Sequence, residues 1–189
     1  MLEDRITLRP ARAGDEPAML ALMDGVLDWL VAHGRSEQWG TVPFSEIPDF
    51  PENVGGWVKQ GVITLAERNG RCVGLLAVAP LIPPRIPAGL LPAGTFFIQT
   101  VMSDRGPDGQ GVGSALMDEA ERLARQSQAP ALALDHWAES AELDHVYAAR
   151  GYIKVAEYDD TQDDKPKRNS VRVLHLAPEN PSSDPKAPA

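Results

Sequence analysis

Three glycines directly precede an amphipathic helix, and their spacing indicates a binding site for an anion. Gly109, Gly111 and Gly113 form a dense turn, and the residues from Val112 to Ala124 then follow helical periodicity. The first amides of a helix have no partner within it and lie at the positive end of the helix dipole. Phosphate oxygens bind at such an end without a basic side chain, because glycine lets them approach the backbone closely.

Two other nucleotide-binding patterns do not fit this turn. A dinucleotide fold requires Gly-x-Gly-x-x-Gly, and counting from Gly109 the third glycine would stand where Ser114 is found. The P-loop also fails, because no Gly-Lys-Ser/Thr follows the turn. On its own, the turn is more often an ordinary helix start, so a second pattern is needed to support a function.

That second pattern is a short helix that Ser140 caps and that closes with Tyr147, Gly151 and Tyr152. Together the two patterns resemble the GCN5-related N-acetyltransferase (GNAT) superfamily. Its pyrophosphate motif, Gln/Arg-x-x-Gly-x-Gly/Ala, falls on residues 108–113, although Asp108 replaces the usual Gln or Arg and the loop before it is longer than is common. The resemblance extends from Ile6 to about Tyr158.

The resemblance implies an α/β (α+β) fold with a mixed, mostly antiparallel twisted central sheet flanked by helices. Strands at 95–102 and 131–135 would diverge at one end and admit the pantetheine arm of acetyl-CoA, the expected co-substrate. Arg105 would replace the basic residue missing at position 108. The residues expected to contact the pantetheine arm are Val101, Met102 and Ser103, and those expected to hold the pyrophosphate through their amides are Gly109, Gln110, Gly111, Val112, Gly113 and Ser114.

The implied activity is acetyl transfer to a primary amine of a small molecule or peptide, by direct attack in a ternary complex. Tyr147 would protonate the departing thiolate, since its reference pKa of about 10 keeps it protonated at neutral pH. A buried aromatic with no catalytic role is the alternative for this residue. No general base is assigned from the candidates, which are Gln99, Asp104, Glu67 and His136. A GNAT-fold acyl-CoA-binding regulatory or sensor module without activity is the alternative for the whole chain.

Local patterns predict the elements around these motifs. Asn69-Gly70 between two apolar runs predicts a tight β-hairpin, and the proline-rich residues 80–92 predict a loop. Asp15 is a predicted N-cap of a first helix that ends by Gly34. The residues from 36 to 58 are predicted to be irregular, with one short helix, and their aromatics are either acceptor-pocket walls or core residues: Trp39, Phe44 and Trp57.

Composition limits the class of protein further. The chain has 189 residues, which suits one N-acetyltransferase domain at 1–177, and a polar, proline-rich segment at 178–189 that is predicted to be a disordered tail. A net charge of −9 argues against a nucleic-acid partner. The single cysteine, Cys72, lies in an apolar run and is expected to be buried, and the histidines lack metal-ligand spacing.

Location and assembly follow from weaker signals. Because no stretch of about 18 apolar residues exists, no membrane segment is expected, and a cytoplasmic location is predicted. The acidic loop predicted at 159–168 contains Lys and Arg as well, so a solvated loop is favoured over a site for a polycationic acceptor. The sequence leaves open whether the protein is a monomer or a homodimer.

Overall fold

The computed structural model describes residues 5–160 and 167–176. Within these residues the chain forms seven strands, four α-helices and two short 3₁₀ turns. The strands are β1 (Thr7–Pro10), β2 (Ile63–Arg68), β3 (Arg71–Ala79), β4 (Phe96–Ser103), β5 (Ala131–Trp137), β6 (Ile153–Asp160) and β7 (Lys167–His175). The helices are α1 (Glu16–Ala32), α2 (Phe50–Gln60), α3 (Val112–Gln126) and α4 (Ala141–Ala149), and the 3₁₀ turns are Phe44–Glu46 and Pro107–Gly109.

The strands form one sheet in the order β1-β2-β3-β4-β5-β7-β6. Within the described chain every neighbouring pair is antiparallel except β4 and β5, which run parallel. A parallel pair needs a crossover, and α3 supplies it between these two strands. The predicted mixed, mostly antiparallel sheet flanked by helices is therefore confirmed.

The sheet is covered on both faces by apolar side chains. One core cluster packs the inner faces of α1 and α2 against β2, β3 and β4. A second cluster packs α3 and α4 against the opposite face of the sheet, with Leu116, Leu132 and Tyr147 among its buried members. The strand pair β4 and β5 lies between these two layers, so a gap between the two strands is reached from both.

β4 and β5 separate after only three paired residues. The paired residues are Phe96, Phe97 and Ile98 of β4 with Leu132, Ala133 and Leu134 of β5. Beyond them β4 continues to Ser103 and β5 to Trp137, but the two strands no longer pair with each other. A β-bulge lies at the same place, because Val78 faces Ile98 and Ala77 faces Thr100, which leaves Gln99 as the extra residue. A bulge bends its strand, and here it accompanies the divergence of β4 from β5.

Most local predictions are confirmed. The hairpin has the predicted turn, with φ of 53° at Asn69 and 75° at Gly70, and Ser140 Oγ accepts a hydrogen bond from the Leu143 amide at 3.3 Å. Two predictions need correction. Asp15 stands at the N-cap position of α1, but its carboxylate bonds to Arg9 and to the Arg12 amide instead of capping the helix.

The second correction concerns the charged loop predicted at 159–168. β6 extends through Asp160 and β7 begins at Lys167, because strand pairing of Asp159 with Arg168 and of Asp160 with Lys167 continues the ladder. Cross-strand pairs of opposite charge stabilise such a ladder. The predicted tail at 178–189 lies outside the described residues.

Tyr152 carries a stability prediction, since its side chain is 2 % exposed and its hydroxyl has no hydrogen-bond partner in the described chain. Tyr152→Phe removes this unpaired polar atom, so the free energy of unfolding at neutral pH is expected to stay the same or rise by up to about 1 kcal/mol. Burial raises the pKa of Tyr152 in the folded protein, so above about pH 10 the tyrosine ionises in the unfolded chain but not in the folded one. This ionisation lowers the free energy of unfolding of the wild type, and the Phe variant does not undergo it.

Urea unfolding near pH 7 and again above pH 10 measures both effects. Tyr158→Phe is the matched control, because the Tyr158 hydroxyl donates a hydrogen bond to Asp135, and its removal is expected to lower stability at neutral pH. A Tyr152→Phe variant that is destabilised as much as Tyr158→Phe would show that the Tyr152 hydroxyl has a partner in solution.

Candidate functional site

The gap between β4 and β5 opens into a cleft of about 380 Å³. One wall comes from α1, the loop that follows it and α2, and the other from the end of β5 and α4. Val101 and Met102 of β4 line the cleft, and Ser103 pairs with Gly74 of β3 at the end of the strand. Since β4 has no neighbour on its β5 side beyond Ile98, an extended ligand can bind its backbone there.

The start of α3 presents a group of unpaired amides. Among the described residues, none accepts a hydrogen bond from the amides of Gly111, Val112, Gly113 or Ser114. The amides of Gly109 and Gln110, which were also expected to hold a phosphate, donate instead to the carbonyls of Gly106 and Pro107 in the 3₁₀ turn. The anion site suggested by the sequence is thus available at residues 111–114, where the helix dipole is positive.

Close packing fixes the loop before α3. A Cβ on Gly109 would lie 1.7 Å from the carbonyl oxygen of Asp104, so only glycine fits there. Gly111, the N-cap residue, has a φ of 78°, which side-chain-bearing residues rarely adopt. The guanidinium of Arg68, a buried residue, donates hydrogen bonds to the carbonyls of Asp108 and Gln110 at 2.8 and 2.9 Å. The hydrogen bonds from Arg68 and the close packing at Gly109 together hold the loop before α3 in place.

Asp108 departs from the family's motif, and the structure shows where its charge is balanced. Its carboxylate accepts a hydrogen bond from Arg71 at 2.6 Å. Arg71 also lies 3.9 Å from Asp104. Both acids of the loop therefore face a guanidinium group from the start of β3, which offsets their repulsion of a phosphate at α3.

Arg105 lies toward α1. Its guanidinium carbon is 5.1 Å from the ring centroid of Trp29, and its side chain lines the cleft. No carboxylate or other hydrogen-bond acceptor of the described residues pairs with it. The expected contact of Arg105 with a phosphate remains a prediction. Because its side chain lines the cleft, Arg105 is also placed where it can contact an acceptor molecule.

Tyr147 lies at the base of the cleft. Its side chain is 7 % exposed and packs against His136, with ring centroids 5.4 Å apart, and against Tyr152 at 6.1 Å. Its hydroxyl has no hydrogen-bond partner among the described residues and is not fully buried, so it is open to the cleft. Arg150, at the end of α4, bonds to Glu121 of α3 at 2.9 Å and so fixes α4, which carries Tyr147, against α3.

The environment of Tyr147 keeps its proton in place. Burial, with a smaller contribution from the charge of Asp135, raises the pKa of Tyr147 to about 12, and the positive charge of Arg105 opposes that rise. The hydroxyl is therefore protonated at every pH at which the protein is expected to be folded and active. A protonated hydroxyl that faces the cleft can donate a hydrogen bond or a proton there.

The residues considered as general bases lie in different places. Glu67 pairs with Arg9 at 2.7 Å, Asp104 accepts a hydrogen bond from the Gly106 amide, and the Gln99 amide donates to the Leu81 carbonyl. Gln99 and His136 both line the cleft, and His136 alone of the four packs against Tyr147. Burial lowers the pKa of His136, so its imidazole is neutral at neutral pH.

The aromatic residues from the predicted irregular region line the cleft and also pack against the core. Trp39 contacts Phe44 edge-on at 5.9 Å, and Phe50 contacts Trp57 in the same way at 5.9 Å. All four are half-buried, and they pack on the cluster beneath α1 and α2. The two alternatives for these aromatics are thus not exclusive, since one face covers the core and another borders the cleft.

Sequence reasoning missed three residues that shape the site. Arg85 forms two 3.0 Å hydrogen bonds to Asp135 inside the cleft, and Arg68 holds the loop before α3. The sequence shows that Arg68 lies next to the hairpin turn, but it does not show that Arg68 bonds to residues some 40 positions away.

Among the described residues no cluster of His, Cys, Asp or Glu could hold a metal ion.

A cleft between diverging parallel strands, a free helix start and a protonated tyrosine at the base of the cleft are compatible with acyl-CoA-dependent transfer. The sequence profile of the acetyltransferase (GNAT) family matches residues 23–152, and the chain belongs to that family. Acetyl-CoA is accordingly its co-substrate, and the free amides of residues 111–114 and the open edge of β4 suit a pyrophosphate and an extended pantetheine arm.

Solved structures of acetyltransferases share the fold at low sequence identity. An N-acetyltransferase from Staphylococcus aureus Mu50 superposes with a TM-score of 0.67 at 16 % identity, covering 92 % of this chain and 99 % of that one. YncA, a putative acetyltransferase from Salmonella typhimurium solved with acetyl-CoA, gives 0.65 at 16 %, covering 95 % and 98 %.

The ribosomal-protein-S18-alanine N-acetyltransferase from Escherichia coli gives a TM-score of 0.63 at 14 % identity, covering 95 % and 100 % of the two chains. A comparison with curated proteins found no match. No helix in the described part of the chain has the length and apolar character needed to cross a bilayer.

Proposed function

We propose that the protein transfers the acetyl group of acetyl-CoA to a primary amine by direct attack within a ternary complex. The observation that carries the proposal is the hydroxyl of Tyr147, which is protonated, faces the cleft and has no protein partner in the described chain. A binding module without activity has no need for such a group at this point. The ion pair of Asp108 with Arg71 also partly offsets the negative charge that Asp108 places in the pyrophosphate motif, a departure from the family pattern that weakly favours an inactive module.

The residues divide the work of the reaction. The amides of Gly111–Ser114 would hold the pyrophosphate, and Val101, Met102 and Ser103 would place the pantetheine arm along β4. This arrangement brings a thioester to the opening between β4 and β5, next to Tyr147. Positioning of this kind converts a bimolecular reaction into an effectively unimolecular one, with no need for an acyl-enzyme.

Proton transfer completes the proposed mechanism. The amine must be neutral to attack, and it loses its proton to solvent before the attack; Glu67 and Asp104 are bonded elsewhere, and no residue is assigned as a general base. As the carbon–sulfur bond breaks, Tyr147 donates its hydroxyl proton to the thiolate.

An acylation assay over a panel of amines tests the proposed function. Acetyl-CoA is incubated with the protein and with amino acids, amino-acid amides, alkylamines, a polyamine and short peptides, and free thiol and acetylated amine are both measured. At least one primary amine is expected to be acetylated with release of one thiol per product. Tight binding of acetyl-CoA by calorimetry, with no acetylated product from any amine, would favour the sensor module instead.

A further inference from the structure

The net charge of the side chains that line the cleft is opposite in sign to the net charge of the whole chain. The chain carries −9, whereas the charged side chains that line the cleft within the described residues include more basic than acidic groups. The four basic ones are Arg35, Arg85, Arg105 and Lys167, and the three acidic ones are Asp135, Glu142 and Asp160. A local excess of positive charge inside an acidic protein favours a ligand that carries a negative group.

The pair of Arg85 and Asp135 contributes little to this excess. Two hydrogen bonds of 3.0 Å join the two side chains, and Tyr158 donates a further one to Asp135. The side chains are 27 % and 10 % exposed, so the pair is largely shielded from water and fixed in place. It is a neutral part of the wall, and its carboxylate is not available to a cationic acceptor.

Two other guanidinium groups of the cleft lining each contact the same indole ring, that of Trp29. The guanidinium carbon of Arg105 lies 5.1 Å from the ring centroid of Trp29, and that of Arg35 lies 5.6 Å from it. His33 stacks on the same indole with a centroid distance of 4.0 Å, which holds the ring in position. The cation–π contacts orient both guanidinium groups without neutralising their charge.

The two arginines differ in their acidic partners. Arg35 lies 3.2 Å from Glu142, but both side chains are largely exposed, and an exposed ion pair of this kind is weak and readily exchanged. Arg105 has no carboxylate partner in the described chain. A guanidinium without a carboxylate partner can bind a carboxylate through two N–H groups.

We propose that the acceptor is a small primary amine that carries a carboxylate, and that Arg105, assisted by Arg35, binds this carboxylate while the amino group faces the thioester. The inference rests on the proposed function and names the substrate class of the same cleft. A cleft of about 380 Å³ suits a small molecule. A polyamine would meet the guanidinium groups of Arg35 and Arg105 and find Asp135 already paired with Arg85. The proposal assigns Arg105 to the acceptor and not to the pyrophosphate.

Matched amines that differ only in the carboxylate test the proposal. Leucine is compared with leucinamide and β-alanine with propylamine, and kcat/KM is expressed per concentration of neutral amine, because the carboxylate itself changes the basicity of the amine. The wild-type protein is expected to prefer the carboxylate member of each pair by about 10- to 100-fold, which is the range for a charge-assisted hydrogen bond. Spermidine and a short peptide amide are expected to be poorer acceptors.

Variants then locate the preference. Arg105→Gln is expected to remove most of it by raising KM for the carboxylate amines, with little change for leucinamide or propylamine, and Arg105→Lys to restore part of it. Arg125→Gln, at the far end of α3, is the matched control that keeps the wild-type preference. Calorimetry with acetyl-CoA is expected to give the same Kd for Arg105→Gln and wild type.

The outcomes separate the two proposals. Amines acetylated without any preference for a carboxylate would overturn the substrate class and leave the proposed function standing. A raised Kd for acetyl-CoA in Arg105→Gln, with the carboxylate preference kept, would return Arg105 to the pyrophosphate. If no amine is acetylated, the proposed function fails and this inference fails with it.

Discussion

Replacing Tyr147 by Phe is expected to lower kcat by about 10²- to 10⁴-fold, which is the usual loss when a general acid is removed. The ring stays, so its packing against His136 and Tyr152 is kept and stability should change little. The hydroxyl has no hydrogen-bond partner in the described chain, so its removal leaves no protein group unsatisfied. Steady-state kinetics on any accepted amine measures the effect, with the Kd of acetyl-CoA as the control.

The pH dependence of kcat follows from the raised pKa of Tyr147, whereas the kcat of the Phe variant distinguishes a proton donor from a structural tyrosine. A tyrosine with its ordinary pKa would produce a decline of kcat near pH 10, but burial raises the pKa of Tyr147 to about 12. The proton is lost only as pH rises through that value, so wild-type kcat is expected to show no decline from this group up to about pH 10. A Phe variant with wild-type kcat would make the tyrosine structural and leave thiolate protonation to solvent.

The fold was predictable because its sequence signals are local. Asn69-Gly70 specifies its hairpin turn through backbone conformation alone, and the glycines before α3 are read in the same way. The order of strands and helices then leaves few topologies to choose from. Tyr147 and the amides of residues 109–114 were proposed from sequence because both lie on short motifs, and the fold places Tyr147 at the cleft and leaves the amides of residues 111–114 free.

The charges in the cleft were not predictable, since they depend on residues far apart in the chain. Arg85 meets Asp135 across 50 positions, and Arg105 leaves its own loop to lie on Trp29 of α1. The raised pKa of Tyr147 likewise comes from burial by other elements. A sequence without a structure shows that Arg105 follows β4, but not which side of β4 its side chain takes.

Replacing Gly113 by Val is expected to weaken acetyl-CoA binding about 100-fold or more while the fold stays intact. Gly113 lies in the first turn of α3, where each Cα–Cβ bond tilts toward the helix start and thus toward the free amides. The added Cβ would lie 3.8 Å from Ser103 Oγ, an ordinary contact, so the protein without ligand accommodates it. The side chain would instead occupy the space that the pyrophosphate needs.

The magnitude follows from the bonds that are lost. A hydrogen bond to a charged group is worth about 1.5 to 3 kcal/mol, and loss of two at the lower value corresponds to roughly a 100-fold rise in Kd. Gly25→Val is the matched control, since Gly25 is also helical, and a Cβ there meets nothing within 4 Å. Gly113→Ala is expected to have a smaller effect than Gly113→Val, because a methyl group fills less of the space.

Calorimetric titration with acetyl-CoA measures Kd for all three variants, and urea unfolding shows whether the fold survives. Gly109→Ala is unsuitable for this purpose, since its Cβ would lie 1.7 Å from the Asp104 carbonyl oxygen and distort the loop itself. A Gly113→Val protein that is folded and binds acetyl-CoA as tightly as Gly25→Val would mean that the pyrophosphate does not sit on the start of α3. The free amides of residues 111–114 would then need another ligand.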